Sequence, residues 1–317
     1  MATIPTVTGP ADTSDLGFTL MHEHVFVLSD GVAANFPRLW PRDERVQSAI
    51  SELKEAKAHG VSTIVDLTVL GLGRDVKTVR EIAQASGMRV IVATGLYTYN
   101  ELPHHFDSRD ADYMAAQFIA DIEEGIQGTD IRAGILKCAT DEPGVTPGVE
   151  KVLRGVARAH RRTGVPISTH THAATKRGLE QQDVFEQEGV DLHRVVIGHS
   201  GDSEDIDYLE TLMKRGSYIG MDRFGIDVYL PTEKRIATIA KLCERGHADQ
   251  MVLSHDASCH IDWFDSAMLK QFAPRWNFLH ISDDVVPALK EAGVSEADVR
   301  TMTVDNPRRI FEAHGAY

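Results

Sequence analysis

Two histidines one residue apart close a short apolar run near the start of the chain, Thr19-Leu20-Met21-His22-Glu23-His24-Val25. In a β-strand, successive side chains alternate between faces, so His22 and His24 point to one side and Glu23 points to the other. Two neutral imidazoles on one face can bind a single metal ion. The run therefore predicts the first part of a metal site.

Later apolar runs also end on residues that can bind a metal, and these residues are Lys137, His170, His199 and Asp256. In parallel α/β barrels the active site lies at the carboxyl ends of the strands, so this position is itself evidence of function. A single histidine there is more often an ordinary polar residue. Matching positions on several strands favour one shared site. His172, two residues after His170, is a competing ligand on the same face.

Lys137 is the unusual member of this set. Its ammonium group can extend to solvent from the end of a strand or pair with a nearby acid. Beside two cations, however, an ammonium group would be repelled, whereas a neutral lysine amine can add carbon dioxide to form an anionic, bridging carbamate. Such a bridge would hold two divalent ions roughly 3.5–4 Å apart, as in two-metal hydrolases. Zinc is the preferred ion, and iron, cobalt or manganese suit the same nitrogen and oxygen ligands.

These residues need a scaffold, and the chain alternates short apolar strands with helices over most of its length. The predicted strands cover residues 18–24, 61–67, 89–94, 131–138, 165–170, 194–199, 217–222 and 250–255. Eight strand–helix pairs predict a fold of the α/β class, a closed (β/α)8 TIM barrel forming a single domain over residues 1–317. An open doubly wound sheet is the alternative, but no G-x-G-x-x-G follows the first strand. Only a closed barrel brings the ends of strands 1, 4, 5, 6 and 8 to one point.

The two ends of the chain do not follow the alternation of strands and helices. Residues 1–16 are a lead-in or a short hairpin covering the floor of the barrel. Residues after 255 predict a long loop, followed by helices near 282–292 and 295–313.

Composition argues against several classes of partner. Asp and Glu number 47 against 33 Lys and Arg, a net charge of −14, so nucleic acid and anionic membranes are unexpected partners. No segment approaches the ~20 apolar residues of a membrane span, and we expect a cytoplasmic protein. The cysteines are 3 in number and lack metal-type spacing, which indicates neither a disulfide framework nor a thiolate site.

The set His22-x-His24, Lys137, His170, His199 and Asp256, in this order at predicted strand ends, resembles the phosphotriesterase family of the amidohydrolase superfamily over essentially the whole chain. This resemblance implies that His22, His24 and Asp256 bind the more buried ion. It implies that His170 and His199 bind the more exposed ion, with carboxylated Lys137 and a hydroxide bridging the two.

Tyr97 in Gly95-Leu96-Tyr97 and Arg223 in Gly220-Met221-Asp222-Arg223 resemble the lactonase branch of this family, since the phosphotriesterases proper hold tryptophan and histidine there. That resemblance implies attack of the bridging hydroxide on N-acyl homoserine lactones and other alkyl lactones. Tyr97 would face the substrate carbonyl, and Asp256 would carry a proton to the leaving alkoxide. Phosphotriester hydrolysis would be a weaker side reaction, and the role would be quorum quenching or detoxification.

Asp202 lies three residues after His199 and has two interpretations. It matches the family's proton-relay acid, but Arg223 stands where a histidine usually links that acid to the metal-binding aspartate. Asp202 is equally placed to cap a helix that begins near Ser203.

Many apolar side chains follow the seventh and eighth predicted strands, which is typical of a pocket, a lid or a subunit interface. Cys259 and Trp263 are predicted to line an acyl channel, and the resemblance implies a homodimer. Two other functions stay open: a hydrolase whose main substrates are phosphotriesters or aryl esters, and a metal-binding protein with no catalytic role.

Overall fold

The structure is a computed structural model that describes residues 2–312 and 315–317. An antiparallel hairpin begins the chain, formed by β1 (Thr3–Thr6) and β2 (Gly9–Asp12). Ile4 packs against Ile91 and Ile135 in a core cluster inside the barrel wall. The hairpin therefore covers the floor of the barrel, which was one of the two predictions for this segment.

Eight parallel strands form the wall of the barrel. They are β3 (Thr19–Val27), β4 (Thr63–Asp66), β5 (Arg89–Gly95), β6 (Ile135–Thr140), β7 (Ile167–Thr171), β8 (Val195–Ile197), β9 (Tyr218–Met221) and β10 (Met251–Leu253). Each strand pairs in parallel with the next along the chain. The predicted α/β barrel is confirmed.

The ring closes where the chain beyond β10 runs beside β3. Asp256 N donates to His22 O at 3.0 Å, and His24 N donates to Ala257 O at 2.8 Å. A further strand, β11 (Ser258–Ile261), continues this parallel pairing with β3. The first barrel strand therefore extends to Val27, and the prediction that it ends at His24 was wrong because β11, hidden in a predicted loop, gives it a partner.

The helices lie outside the strands. They are α1 (Val32–Asn35), α2 (Arg42–Ala58), α3 (Val76–Ser86), α4 (His104–Asp107), α5 (Ala111–Glu123), α6 (Pro147–Thr163), α7 (Arg177–Gln187), α8 (Ile206–Lys214), α9 (Thr232–Glu244), α10 (Ser266–Phe272), α11 (Val286–Glu291), α12 (Glu296–Arg300) and α13 (Asn306–Glu312). Helix α6 has the predicted start, since the Thr146 hydroxyl accepts from Val149 N and Pro147 follows. Among the described residues, no helix is long and apolar enough to cross a membrane.

The last part of the chain is more broken than predicted. The predicted helix near 282–292 begins with a π-helical turn over Ile281–Val285 before α11. The predicted helix over 295–313 divides into α12, a second π-helical turn at Thr301–Asp305, and α13, and its predicted last residue lies outside the described residues. The short helices α1, α4 and α10 fall in predicted loops because they are too short to show helical periodicity.

Candidate functional site

The structure brings the six predicted ligands together at the carboxyl ends of the barrel strands. The ring centroids of His22 and His199 are 4.6 Å apart, and His170 lies 4.6 Å from His199. Asp256 Oδ1 lies 3.2 Å from His24 Nε2 and 3.5 Å from His22 Nε2. Lys137 Nζ lies 2.8 Å from His22 Nε2. Their use as metal ligands stays a prediction, but their convergence is a property of the fold.

Asp222, at the end of β9, orients two of the imidazoles. Its Oδ2 accepts from His22 Nδ1 at 2.8 Å, and its Oδ1 accepts from His199 Nδ1 at 2.9 Å. The backbone N–H of His199 also donates to Oδ1. Both rings therefore keep Nε2 turned toward the centre of the site, with the tautomer set by a carboxylate as in histidine–metal sites.

The other two imidazoles are oriented in the same way by different partners. His24 Nδ1 lies 2.9 Å from Thr68 Oγ1, which leaves Nε2 toward Asp256. His170 bonds Asp141 through Nε2, and its Nδ1 lies 3.5 Å from both the Tyr97 hydroxyl and Arg223 Nη2, which line the site. Each of the four rings thus has one nitrogen held by the protein and one nitrogen directed into the site.

Burial sets the protonation of these groups. Desolvation lowers the pKa of His22, lowers that of His170 to about 4 and holds that of His199 well below its usual range. These rings are neutral near pH 7, as metal binding requires. Burial alone would raise the pKa of Asp256, but the rings of His199 and His22 hold it well below its ordinary value.

Lys137 is buried among these groups. Desolvation lowers its pKa to about 8, which makes its neutral amine accessible at physiological pH. One ligand atom each from His22, His199 and Asp256 can be chosen so that all lie within 4.8 Å of one another. Neutral imidazoles, an anionic carboxylate and a titratable amine fit divalent ions that accept nitrogen and oxygen ligands.

Two predicted ligands have an unusual backbone conformation. Among the described residues, four non-glycine residues have positive φ, and they include His199 at 58° and Asp256 at 55°. The left-handed region disfavours residues with a Cβ atom, so surrounding bonds must hold such residues in place. Strain of this kind concentrates at functional sites.

Tyr97 and Arg223 lie at the rim of the ligand set. The Tyr97 hydroxyl bonds that of Tyr99 and lies 3.5 Å from His170 Nδ1. Burial raises the pKa of Tyr97 well above its usual value, so the hydroxyl keeps its proton. Arg223 Nε donates to Asp256 Oδ2 at 3.1 Å, which ties a rim cation to a predicted ligand.

Asp202 fits neither of its two predicted roles. The residue that caps α8 is Asp205, which accepts from Tyr208 N at 3.1 Å. Asp202 instead accepts from Arg223 at 3.0 Å and pairs with the buried Arg235 at 2.7 Å. Because a guanidinium keeps its proton, the link from Asp256 through Arg223 to Asp202 anchors side chains and does not pass protons.

A cavity of about 240 Å³ opens above the site. Trp263 lines it, and its ring centroid lies 6.3 Å from that of Tyr97. The other aliphatic and aromatic side chains in the lining include Val27, Leu72, Ile226, Val228, Ile261, Phe264, Leu269, Phe272, Ala273 and Trp276. The cavity therefore joins a polar floor to apolar walls.

Two candidates lie outside this cavity. Cys259 lines a separate depression with Arg45 and Glu52 of α2, because β11 turns it outward from the barrel, and its predicted place in the acyl channel is corrected. His172 bonds Thr175 Oγ1 within its own loop and is not among the residues lining the cavity. It does not compete with His170.

Four residues that hold the site in place were not predicted from the sequence: Asp222, Thr68, Asp141 and Arg235. Asp222 had a signal, since it ends a predicted strand directly before Arg223. The other three lie in loops or on a helix, and their contacts depend on how neighbouring strands are aligned, which a single sequence does not show.

Comparison with known proteins agrees with this geometry. A sequence profile described as "Phosphotriesterase family" matches residues 2–311. A phosphotriesterase homology protein of Mycobacterium tuberculosis is 56% identical over 100% of both chains. An aryldialkylphosphatase of Saccharolobus solfataricus is 44% identical over 95% of this chain and 96% of that protein.

A solved structure, described as that of the phosphotriesterase from Mycobacterium tuberculosis, superposes with a TM-score of 0.97 at 56% identity, covering 99% of this chain and 100% of that chain. The match spans the barrel and the strand ends that carry the site. This chain belongs to the phosphotriesterase family and is a metal-dependent hydrolase acting on ester bonds.

Proposed function

We propose that the protein is a binuclear lactonase that opens N-acyl homoserine lactones and other alkyl lactones. The observation that carries this proposal is the Tyr97 hydroxyl, which keeps its proton beside His170 under an apolar cavity. A protonated hydroxyl at the edge of the ligand set is suited to a substrate oxygen that gains negative charge.

The ligand set divides between two ions. His22, His24 and Asp256 would hold one ion, and His170 and His199 would hold the other. Lys137, as a carbamate, would bridge them, and zinc is the preferred metal. When bound, the two cations lower the pKa of a water molecule and polarise the substrate oxygen.

The chain's own groups then supply orientation and proton transfer. Tyr97 donates a hydrogen bond to the carbonyl oxygen as its charge develops. Arg223 holds Oδ2 of Asp256, and the carboxylate of Asp256 accepts the proton of the attacking water and passes it to the leaving alkoxide. Asp202 keeps Arg223 in place.

The cavity supports a substrate with an apolar tail. Its apolar walls, including Trp263 and Phe272, would bury an alkyl chain while the polar floor takes the ring. The alkyl tail of the substrate would contribute binding energy, and the lactone ring would lie beside the reacting groups.

Phosphotriester hydrolysis is the second candidate. The relative from Saccharolobus solfataricus is named an aryldialkylphosphatase at 44% identity, which favours this activity as either a side reaction or the main one. The same metal centre would serve both reactions, so the preference for lactones or phosphotriesters would depend on the residues of the rim and the cavity.

One preparation of the natively metallated protein decides between the two. The lactonase proposal expects kcat/KM for a long-chain acyl homoserine lactone to exceed that for an aryl dialkyl phosphate by at least about tenfold, or about 1.4 kcal/mol of transition-state binding. The reverse order would make phosphotriesters the main substrates. The homodimer and the cytoplasmic location stay predictions, and light scattering tests the first of them.

A further inference from the structure

Glu23 lies between the predicted ligands His22 and His24 but points to the opposite face of β3. It is fully buried, at 0% exposure. Its Oε1 accepts from Ser254 Oγ at 2.8 Å, from His255 Nδ1 at 2.7 Å and from His255 N at 3.0 Å. Its Oε2 accepts from Ala257 N at 2.8 Å. One carboxylate therefore binds the residues on both sides of Asp256.

The protonation of this cluster follows from its contacts. Ile281 N donates to His255 Nε2 at 2.9 Å, so that nitrogen carries a lone pair and the proton lies on Nδ1, directed at Glu23. Ser254 Oγ accepts from His22 N at 2.8 Å and donates to Glu23. Every polar group around the carboxylate thus has a partner, as a buried network requires.

Asp256 lies in the middle of the bracketed segment, at a φ of 55° that aspartate rarely adopts. Its own N–H donates to His22 O at 3.0 Å, so the turn is tied to β3 on both faces. Bonds of this kind keep a strained residue in place. Without the bonds to Glu23, the turn at Asp256 would keep its backbone bonds to β3, and Arg223 would be the basic side chain that still holds the Asp256 carboxylate.

We propose that Glu23 is a positioning residue that fixes Asp256 in the orientation required for metal binding. The inference rests on the metal centre of the proposed function and not on the choice of substrate. A glutamine at position 23 keeps the shape but replaces one acceptor oxygen with a donor, which would face the N–H or O–H groups of its partners. The turn would then shift, and Asp256 with it.

The test compares Glu23→Gln with the wild-type chain. Each protein is stripped with a chelator and titrated with zinc, and metal content, zinc affinity and the rise in Tm on metal addition are measured. We expect zinc affinity to fall about 10- to 100-fold, the range seen when groups that orient metal ligands are removed. We expect kcat to fall with little change in KM, because Glu23 does not line the cavity.

A matched control lies at the other end of β10. Asn306 is a buried polar residue whose Nδ2 donates to Ala248 O at 2.8 Å and to Met251 O at 2.7 Å, far from the ligand end of the strand. Asn306→Leu is expected to lower Tm while the affinity for zinc stays at the wild-type value. An equal loss of zinc affinity in Asn306→Leu would overturn the proposal, since general destabilisation would then explain both.

A milder variant keeps the proposal open to refutation if Glu23→Gln does not fold. Ser254→Ala removes one of the four bonds to Glu23, together with the acceptor of His22 N, and is expected to weaken zinc binding severalfold. Wild-type zinc affinity in either folded variant contradicts the inference. A wild-type chain that binds no metal would refute the metal centre itself, whereas one that binds metal but opens no lactone would refute only the substrate proposal.

Discussion

The two sides of the cavity differ in how much freedom their side chains have. The metal side is built from strand ends, where His22, His199 and Asp222 are at most 2% exposed and are bonded to one another. The substrate side is built from loops and the short helix α10, where Trp263 is 41% exposed and Phe272 is 72% exposed. One side is a closed set of polar contacts and the other is an open apolar surface.

This difference assigns chemistry and selectivity to separate parts of the chain. A change on the metal side leaves a buried donor or acceptor without a partner, which costs metal binding and stability together. A change on the substrate side alters the apolar area in contact with the substrate and leaves the metal ligands in place. Arg235 and Asp202 lie between the two sides, so a change there tests whether the two sides are separable.

The largest effect should come from Lys137→Ala, which removes the proposed bridge. We expect hydrolysis of every ester substrate to fall by more than about 100-fold, beyond what loss of an orienting group costs, and one metal ion per chain to be lost. Steady-state kinetics and elemental analysis measure this. The exposed Lys241→Ala is the control and should behave as the wild type. Retained hydrolysis in Lys137→Ala would refute the bridge.

Asp222→Asn should have the next largest effect, because one carboxylate orients both His22 and His199. An amide offers one acceptor in place of two, so we expect a loss of about 10- to 100-fold in zinc affinity. Zinc titration of the stripped protein is the measurement, with the exposed Asp249→Asn as control. If both variants bind zinc equally well, the metal side is less dependent on these bonds than its geometry indicates.

Arg235→Met tests the connection between the two sides. Arg235 donates to Leu230 O at 2.9 Å and Gly201 O at 2.7 Å, and it pairs with Asp202. Its loss should lower the free energy of unfolding by about 3 kcal/mol, the cost of breaking a buried pair. Denaturant unfolding measures this, and kinetics should show a rise in KM with metal content unchanged. Loss of metal would show that the two sides are not separable.

Trp263→Ala should have the smallest effect and should change only the selectivity for lactone chain length. We expect kcat/KM for a long-chain lactone to fall about tenfold while a short-chain lactone is hydrolysed as before, because removing apolar contact affects the tail. A chain-length series measures this. Tyr113→Ala, outside the cavity at 37% exposure, is the control. An equal fall in kcat/KM for all chain lengths would mean that Trp263 acts with the metal side and not on the substrate tail.

The metal side could be predicted from sequence to the extent that ligands lie at the ends of apolar runs. His22, His24 and His170 have that signal because strand periodicity fixes which face they occupy, whereas His199 follows the end of β8 in a left-handed turn. Asp222 shares that signal and was overlooked. Thr68 and Asp141 could not be found, since their contacts follow from the alignment of neighbouring strands and from loop conformation.

The apolar composition of the substrate side was predicted from the sequence, but its conformation was not. The segment after Asp256 looked like a long loop, yet residues 258–261 form a strand that pairs with β3. That strand sends Cys259 to the outside of the barrel, whereas Trp263, beyond the end of the strand, faces the cavity. The pairing of this unrecognised strand with β3 is therefore the physical reason why Cys259 was misplaced.

The closure of the ring has a consequence for the newly made polypeptide. His22 and His24 are synthesised early and Asp256 late, and the bonds that join them form only when the segment after β10 reaches β3. While the chain is still emerging from the ribosome, its early histidines lack their late partner. The cluster of His22, His24 and Asp256 is therefore complete only after nearly the entire chain has been translated, and premature termination before residue 256 yields a product without it.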